Sequence, residues 1–357
     1  MDLTKKIKVL IVDDSQVSRD LMHFILSSDP SLQVIGYADS GESALMQIQK
    51  EPPDVITMDI VMPRMDGFET TRCIMQRKAI PIIIVSSIVK KDDVANSFKS
   101  FEAGARAILS KPVSPADPKF TEIANTIRET VKEMSEVRLV TRIHTTTQTI
   151  PHPSIIEPKP RINQTFEAVA IGASLGGPQA LQKMLLAFPE NFPLPLYLVQ
   201  HIAPGFVNGL VEWLGSCTRM EVKIAKNGEK GNPGVVYVAP DNCQMHVLKG
   251  NVISLTEDPP DNGLKPSVAH LFRSMAKNFG PKAIGIMLTG MGRDGVDDLL
   301  LMKKSGSYTI AQSEAGCLMF GMPREAILNG SVTQVVPIEQ MSKVVLQMTG
   351  EKLWQKQ

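Results

Sequence analysis

Paired cysteines, a surplus of either charge, a long apolar run and an internal repeat are all missing from this chain of 357 residues. The four cysteines, Cys73, Cys217, Cys243 and Cys317, are scattered with no C-x-x-C pair. That spacing suggests neither a disulfide framework nor a zinc knuckle, and reduced thiols in a cytoplasm are the simpler reading. Lys and Arg number 38 against 37 Asp and Glu, so the net charge is +1. Such balance argues against a chain whose main business is to coat nucleic acid or an anionic membrane. Lys5, Lys6 and Lys8 precede an apolar stretch, but it covers only Val9 to Val12 before Asp13 and Asp14 interrupt it. An export signal needs about 7–15 apolar residues there. No run approaches the roughly 20 that span a bilayer, so a soluble cytoplasmic protein without membrane insertion is expected.

What is present is ordinary globular material, 43% hydrophobic and 21% charged, enough for two domains at roughly 150 residues each. Short β-branched runs occur at 8–14 (KVLIVDD), 55–60 (VITMDI), 81–87 (PIIIVSS) and 107–112 (AILSKP), with longer amphipathic stretches between them. In 123–137, Ile123, Ile127, Val131, Met134 and Val137 recur at steps of three and four, the period of a one-faced helix. From 138 to 164 the chain turns rich in Thr and Pro and loses its period. An extended linker carrying solvated His144 and His152 is expected there. Buried-strand runs return at 168–172, 195–200, 234–239 and 283–289, and 267–279 reads as an amphipathic helix. These patterns predict two doubly wound parallel-sheet α/β domains, at 5–136 and 165–349, joined by a Pro-rich linker over 137–164.

In open parallel sheets, ligands bind beyond the carboxyl ends of the strands. In the first domain those ends carry Asp13 and Asp14, then Asp59, then Ser86 and Ser87, then Lys111 and Pro112. Three converging carboxylates repel unless a cation joins them, and hard oxygen ligands favour Mg²⁺. Lys111 and Ser86 beside them complete a site for a phosphoryl group. Asp66-Gly67 reads only as a turn. Together D-D at 13–14, MDIVMPRMDG at 58–67, S-S at 86–87 and K-P at 111–112 resemble the receiver domain of bacterial response regulators. The resemblance implies a flavodoxin-like fold with Asp59 as phosphoacceptor. It also implies Mg²⁺ held by Asp13, Asp14 and Asp59 with the Val61 carbonyl, and phosphoryl sensing by Ser86 and Lys111. Where many receivers have an aromatic residue, this chain has Ile108.

In the second domain, the strand at 168–172 runs into Gly172-Ala173-Ser174-Leu175-Gly176-Gly177-Pro178. This fits G-x-S-x-G, the strand–turn–helix elbow that exposes a serine hydroxyl. A dinucleotide fingerprint wants glycine where Ser174 stands and an acid after the next strand, which ends instead in Gln200-His201. Of the other histidines, His23 lies in the first domain's first helix, His246 falls mid-run in an expected strand (QMHVL) and His270 lies on the polar side of its helix. Only His201 ends a buried strand at Ser174's edge of the sheet. Asp294 follows the strongest strand and is the candidate to bond the other imidazole nitrogen. Asp297 and Asp298 read as first-turn acids that complement a helix dipole, and Asp241, Asp258 and Asp261 as turn residues.

At this point GASLGGP, VQHIAPGF, VYVAPDNCQMHV, PSVAHLFRSMA, LTGMGRDG and AQSEAGCLMFGMPREAI resemble the catalytic domain of the chemotaxis-type protein-glutamate methylesterases, which are also protein-glutamine deamidases. The resemblance implies Ser174 as nucleophile, His201 as base, Asp294 as its orienter and the Met291 backbone amide as oxyanion donor. It implies chemoreceptors as substrate, a chemotaxis histidine kinase as phosphodonor, and no cofactor in the catalytic half. The family commonly has Thr after the serine, where this chain has Leu175, so any role of that hydroxyl is absent. A catalytically silent adaptor is the alternative reading. A DNA-binding output would require a helix-turn-helix and a basic recognition face, which the strand-rich second half does not suggest.

Overall fold

The computed structural model describes residues 6–86, 98, 100–136 and 165–350. Ser87, His144, His152 and the expected linker lie outside the described residues. The chain divides into two compact units, Met1–Thr146 and Thr147–Gln357.

The first unit is built on five parallel strands: β1 (Ile7–Val12), β2 (Leu32–Ala38), β3 (Val55–Met58), β4 (Ile82–Ser86) and β5 (Ala107–Ser110). Their order is β2-β1-β3-β4-β5. Strands β3 and β4 are buried along their whole length, which is why they read as largely apolar runs, with only Thr57 inside β3 and Ser86 at the end of β4 polar. The helix Phe120–Glu136 buries Ile127, Val131 and Met134 of the expected stripe, with Ala124 beside them; Ile123 is half-buried at its margin, and Val137 lies outside the described residues. The expected turn at Asp66 is a helix cap: its Oδ1 accepts from Glu69 N at 2.8 Å at the start of helix Gly67–Arg77. The strand order reverses between β1 and β3, so the crevice beyond those two strands is the ligand position of the fold.

The second unit carries seven parallel strands: β6 (Ala168–Ala173), β7 (Leu196–Gln200), β8 (Glu221–Ile224), β9 (Val235–Val238), β12 (Ala283–Met287), β13 (Tyr308–Gln312) and β14 (Gln334–Val336). They lie in the order β14-β13-β12-β6-β7-β9-β8. A separate antiparallel hairpin, β10 (Gln244–Leu248) with β11 (Val252–Thr256), packs on helix Val268–Asn278. That helix turns Val268, Leu271, Phe272 and Met275 into the core. The expected α/β class and both parallel sheets stand; the antiparallel hairpin is an addition to them. Strand β6 pairs with β7 on one side and with β12 on the other. The reversal of this sheet therefore falls at β6, with β7 and β12 as its flanks.

Candidate functional site

In the first unit Asp13 and Asp59 are buried at the ends of β1 and β3, Ser86 is buried as the last residue of β4, and Asp14 is exposed. Lys111 Nζ lies 2.6 Å from Asp13 Oδ2 and 2.7 Å from Asp59 Oδ2. The lysine is positioned by its own backbone, whose N–H donates to Ser86 O at 2.9 Å. Asp59 Oδ1 accepts from Ile60 N at 2.7 Å, and Asp13 Oδ1 from Ser15 N at 2.9 Å. Burial pushes the Asp59 carboxyl above the usual carboxylate range, against the opposing pull of Lys111. Burial alone would lower Lys111, but its bonds to Asp13 and Asp59 carry it upward, so it stays an ammonium. Carboxylate oxygens of Asp13, Asp14 and Asp59 all lie within 4.8 Å of one another. A compact set of hard, anionic oxygens fits a Mg²⁺ ion. Ile108 is buried on β5, and Val61 is exposed in the loop after β3.

In the second unit, Ser174 immediately follows β6, His201 immediately follows β7, and Asp294 lies in the loop that leaves β12. All three therefore stand at the carboxyl edge where the sheet order reverses. The ladders continue past the strands: His201 N donates to Ala173 O at 2.9 Å and Ser174 N to Thr289 O at 3.0 Å. These bonds fix the serine turn between its two neighbours. After the serine, Gly176 adopts φ 76°, a left-handed conformation that lets the chain reverse into helix Gly177–Leu185. A Cβ on Gly290 would stand 2.7 Å from Ser174 Cβ, so the absence of a side chain there lets the post-β12 loop approach the serine.

His201 Nε2 and Asp294 Oδ2 are 2.8 Å apart. Asp294 is 5% exposed, and its carboxylate also accepts from Ser267 Oγ (2.6 Å), Val268 N (2.6 Å) and Ala269 N (3.2 Å). Burial alone would raise the acid, but the His201 bond, the Ser267 hydroxyl and the Val268 amide outweigh it and hold Asp294 below the usual range. With Nε2 turned to the aspartate, Nδ1 is the ring nitrogen that Asp294 does not hold. Ser174 Oγ and the imidazole are not hydrogen-bonded to each other in this state. Met291 N–H donates to no group among the described residues, while the neighbouring Gly290 carbonyl is held by Gly321 N and Met322 N.

Three contributors were not singled out from sequence. Gln200, buried at the end of β7, donates Nε2 to Ser174 O (2.7 Å) and His201 O (2.8 Å), clamping the two strand ends together. Thr289 Oγ1 donates to Leu175 O (2.9 Å) and accepts from Met319 N (3.0 Å), joining the serine turn to the 313–321 loop. Ser267, expected as the first residue of an amphipathic helix, is instead its N-cap and donates its hydroxyl to Asp294. Asp297 and Asp298 occupy the first turn of helix Val296–Lys304 as expected, and Asp298 pairs with Arg273. Asp241 accepts from Gly205 N at 2.7 Å, and burial raises it. Two expectations are corrected. His270 is half-buried, its ring edge-on to His246 with centroids 5.1 Å apart, because the hairpin packs over its helix. Asp258, expected in a turn, lies in an extended stretch after β11, and its Oδ2 is 3.3 Å from His246 Nε2.

An α/β unit with an acidic phosphoryl-type pocket, followed by one whose rim gathers serine, histidine and aspartate, defines a response regulator with a hydrolase output. Family comparisons agree: residues 9–119 match the response regulator receiver domain and residues 169–345 match CheB methylesterase. The chain is 44% identical to "Protein-glutamate methylesterase/protein-glutamine glutaminase 1" of Syntrophus aciditrophicus, over 96% of this chain and 99% of that one. It is 40% identical to a protein-glutamate methylesterase/protein-glutamine glutaminase of Nitrosospira multiformis (97% and 98% covered), and 42% identical to one of Methanospirillum hungatei (93% and 96% covered). The chain belongs to the protein-glutamate methylesterase/protein-glutamine glutaminase family. No helix among the described residues is long and apolar enough to cross a membrane.

Proposed function

We propose that this chain is a cytoplasmic, phosphorylation-activated serine hydrolase that removes methyl esters from glutamates of chemoreceptors and deamidates their glutamines. The supporting observation is the His201–Asp294 contact, set at the sheet reversal beside the turn that carries Ser174. Ser174 Oγ attacks the γ-carbonyl of the methylated glutamate while His201 Nδ1 takes its proton. Asp294 holds the opposite nitrogen and stabilises the imidazolium that forms. Met291 N–H, free to donate, faces the developing oxyanion in this reading. The C–O bond to methanol breaks as His201 returns the proton to the leaving oxygen. Water, activated by the same imidazole, then cleaves the acyl-serine and regenerates glutamate. With glutamine the leaving group is ammonia.

In the first unit Asp59 accepts the phosphoryl group from a chemotaxis histidine kinase. Asp13, Asp14 and Asp59 would hold Mg²⁺ with the Val61 carbonyl, and the ion supplies charge neutralisation for the phosphoryl oxygens. Lys111 and Ser86 bind those oxygens and report phosphorylation. We assign residues 5–136 to the receiver, 137–164 to a linker and 165–349 to the catalytic domain.

The test is methanol release from methylated receptor membranes, with and without a small-molecule phosphodonor. Ser174→Ala is expected to lose at least ~10³ in kcat, and Asp59→Asn to lose the phosphodonor response while keeping the basal rate. A Ser174→Ala protein that turns over near the parental rate overturns the assignment. A fluorophosphonate probe that fails to label Ser174 would favour a silent adaptor.

A further inference from the structure

We propose that His246, Asp258 and His270 form a binding site for a divalent transition-metal ion of the zinc class, separate from both the serine site and the receiver pocket. The three residues come from different elements: His246 from β10, Asp258 from the loop after β11, and His270 from the first turns of helix Val268–Asn278. One ligand atom from each lies within 4.8 Å of the other two. His246 Nε2 is 3.4 Å from His270 Nδ1 and 3.3 Å from Asp258 Oδ2. A tetrahedral ion bound at about 2.0–2.1 Å to nitrogen and oxygen sets its ligand atoms about 3.3 Å apart. Two edges of the required tetrahedron therefore already have the right length.

The chemistry of the donors narrows the ion. Two imidazoles and one carboxylate suit Zn²⁺, Co²⁺, Ni²⁺ or Cu²⁺ and are poorly matched to Mg²⁺ or Ca²⁺, which prefer all-oxygen shells. Asp258 is oriented for the task, because Thr256 Oγ1 donates to its Oδ2 at 2.8 Å, the kind of outer contact that aims a ligating carboxylate. The two histidines are half-buried and Asp258 is exposed, which leaves a solvent side for entry and for a water as fourth ligand. Such an ion pins the hairpin to the helix whose first amides, Val268 N and Ala269 N, grip Asp294. Its role is structural: it braces the element that holds the candidate aspartate, and the inference does not depend on the hydrolase reading.

The experiment is calorimetric titration of the full chain with Zn²⁺ in millimolar Mg²⁺, which occupies the receiver carboxylates, paired with Co²⁺ absorption spectroscopy. We expect one saturable site, an intense visible Co²⁺ band of a four-coordinate ion without a sulfur charge-transfer band, and a raised melting temperature with Zn²⁺. His246→Gln and His270→Gln should each weaken binding at least a hundredfold, and Asp258→Asn at least tenfold, whereas Ser174→Ala should bind as the parent does. Asp258 is half exposed, so its variant is expected to keep the parental far-ultraviolet spectrum and to report binding even where a histidine variant fails to fold. No saturable Zn²⁺ binding overturns the proposal. So does binding that all three substitutions leave unchanged, or a Co²⁺ spectrum dominated by thiolate.

Discussion

Replacing Asp294 by asparagine should separate charge from geometry at the proposed catalytic rim. Oδ2 faces His201 Nε2 and Val268 N, and Val268 N has no alternative acceptor, so the asparagine must place its carbonyl oxygen there. The amide nitrogen then falls at the Oδ1 position, facing Ser267, whose hydroxyl can turn to accept. Ala269 N loses Oδ1 as an acceptor and faces the new amide N–H, but keeps a partner in Ser267 Oγ at 3.1 Å. The tautomer that offers Nδ1 to Ser174 survives, and what disappears is the negative charge 2.8 Å from the imidazole. A charge-assisted bond exceeds a neutral one by about 1–2 kcal/mol, whereas the gross Coulomb term at an effective dielectric of about 20 is roughly 6 kcal/mol. The expected loss lies between these bounds, about 10²–10³ in kcat. Stability should fall by about 1 kcal/mol with the bond from Ala269 N lost, whereas Asp294→Ala strands the Val268 amide, the Ser267 hydroxyl and the imidazole N–H and should cost about 3 kcal/mol or more. Methanol-release kinetics beside urea unfolding of both variants checks the pair. An asparagine variant within threefold of parental kcat would refute the role given to the charge.

Two further outcomes follow from buried geometry. Burial, with Glu129 and Glu136 nearby, raises the Glu133 carboxyl from an ordinary 4.5 to about 7. The folded state thus keeps a proton that the unfolded chain releases, and stability falls as pH rises from about 4.5 to about 7. Glu133→Gln should flatten that slope and raise the melting temperature at pH 8; an unchanged pH profile would refute the assignment. Gly290→Ala should place a methyl against the buried Met322 Sδ and 2.7 Å from Ser174 Cβ, displacing both Met322 and the serine turn. Since misplacement by about 1 Å can cost ~10² in rate, turnover should fall by that order with the fold retained. Parental kcat in that variant would show that close packing does not aim the nucleophile.

The strand ends were legible because a buried parallel strand is an uninterrupted apolar run, and the first polar residue after it is already at the ligand edge. Asp13, Asp59, His201 and Ser174 were all located in this way. β14 was not, since three residues of which Val335 is exposed leave no run to recognise. The hairpin's pairing was hidden for a different reason: alternation shows that 244–248 is extended, but not that it leaves the main sheet. The grip on Asp294 was least visible. Ser267 advertises a helix start in its own neighbourhood, and nothing local says that a carboxylate from a distant loop will share the same amides. Gln200 was in view as the end of a strand, yet only the folded sheet shows its amide bridging two of them.

The shared amides carry a consequence for descendants of this chain. Asp294 doubles as an anchor for the start of a core helix, so it is retained by folding whether or not chemistry is being done. Ser174 carries no such duty through its hydroxyl. A lineage drifting toward a purely regulatory role can shed the serine freely and must keep the acid, which makes the serine the more informative marker of a working esterase.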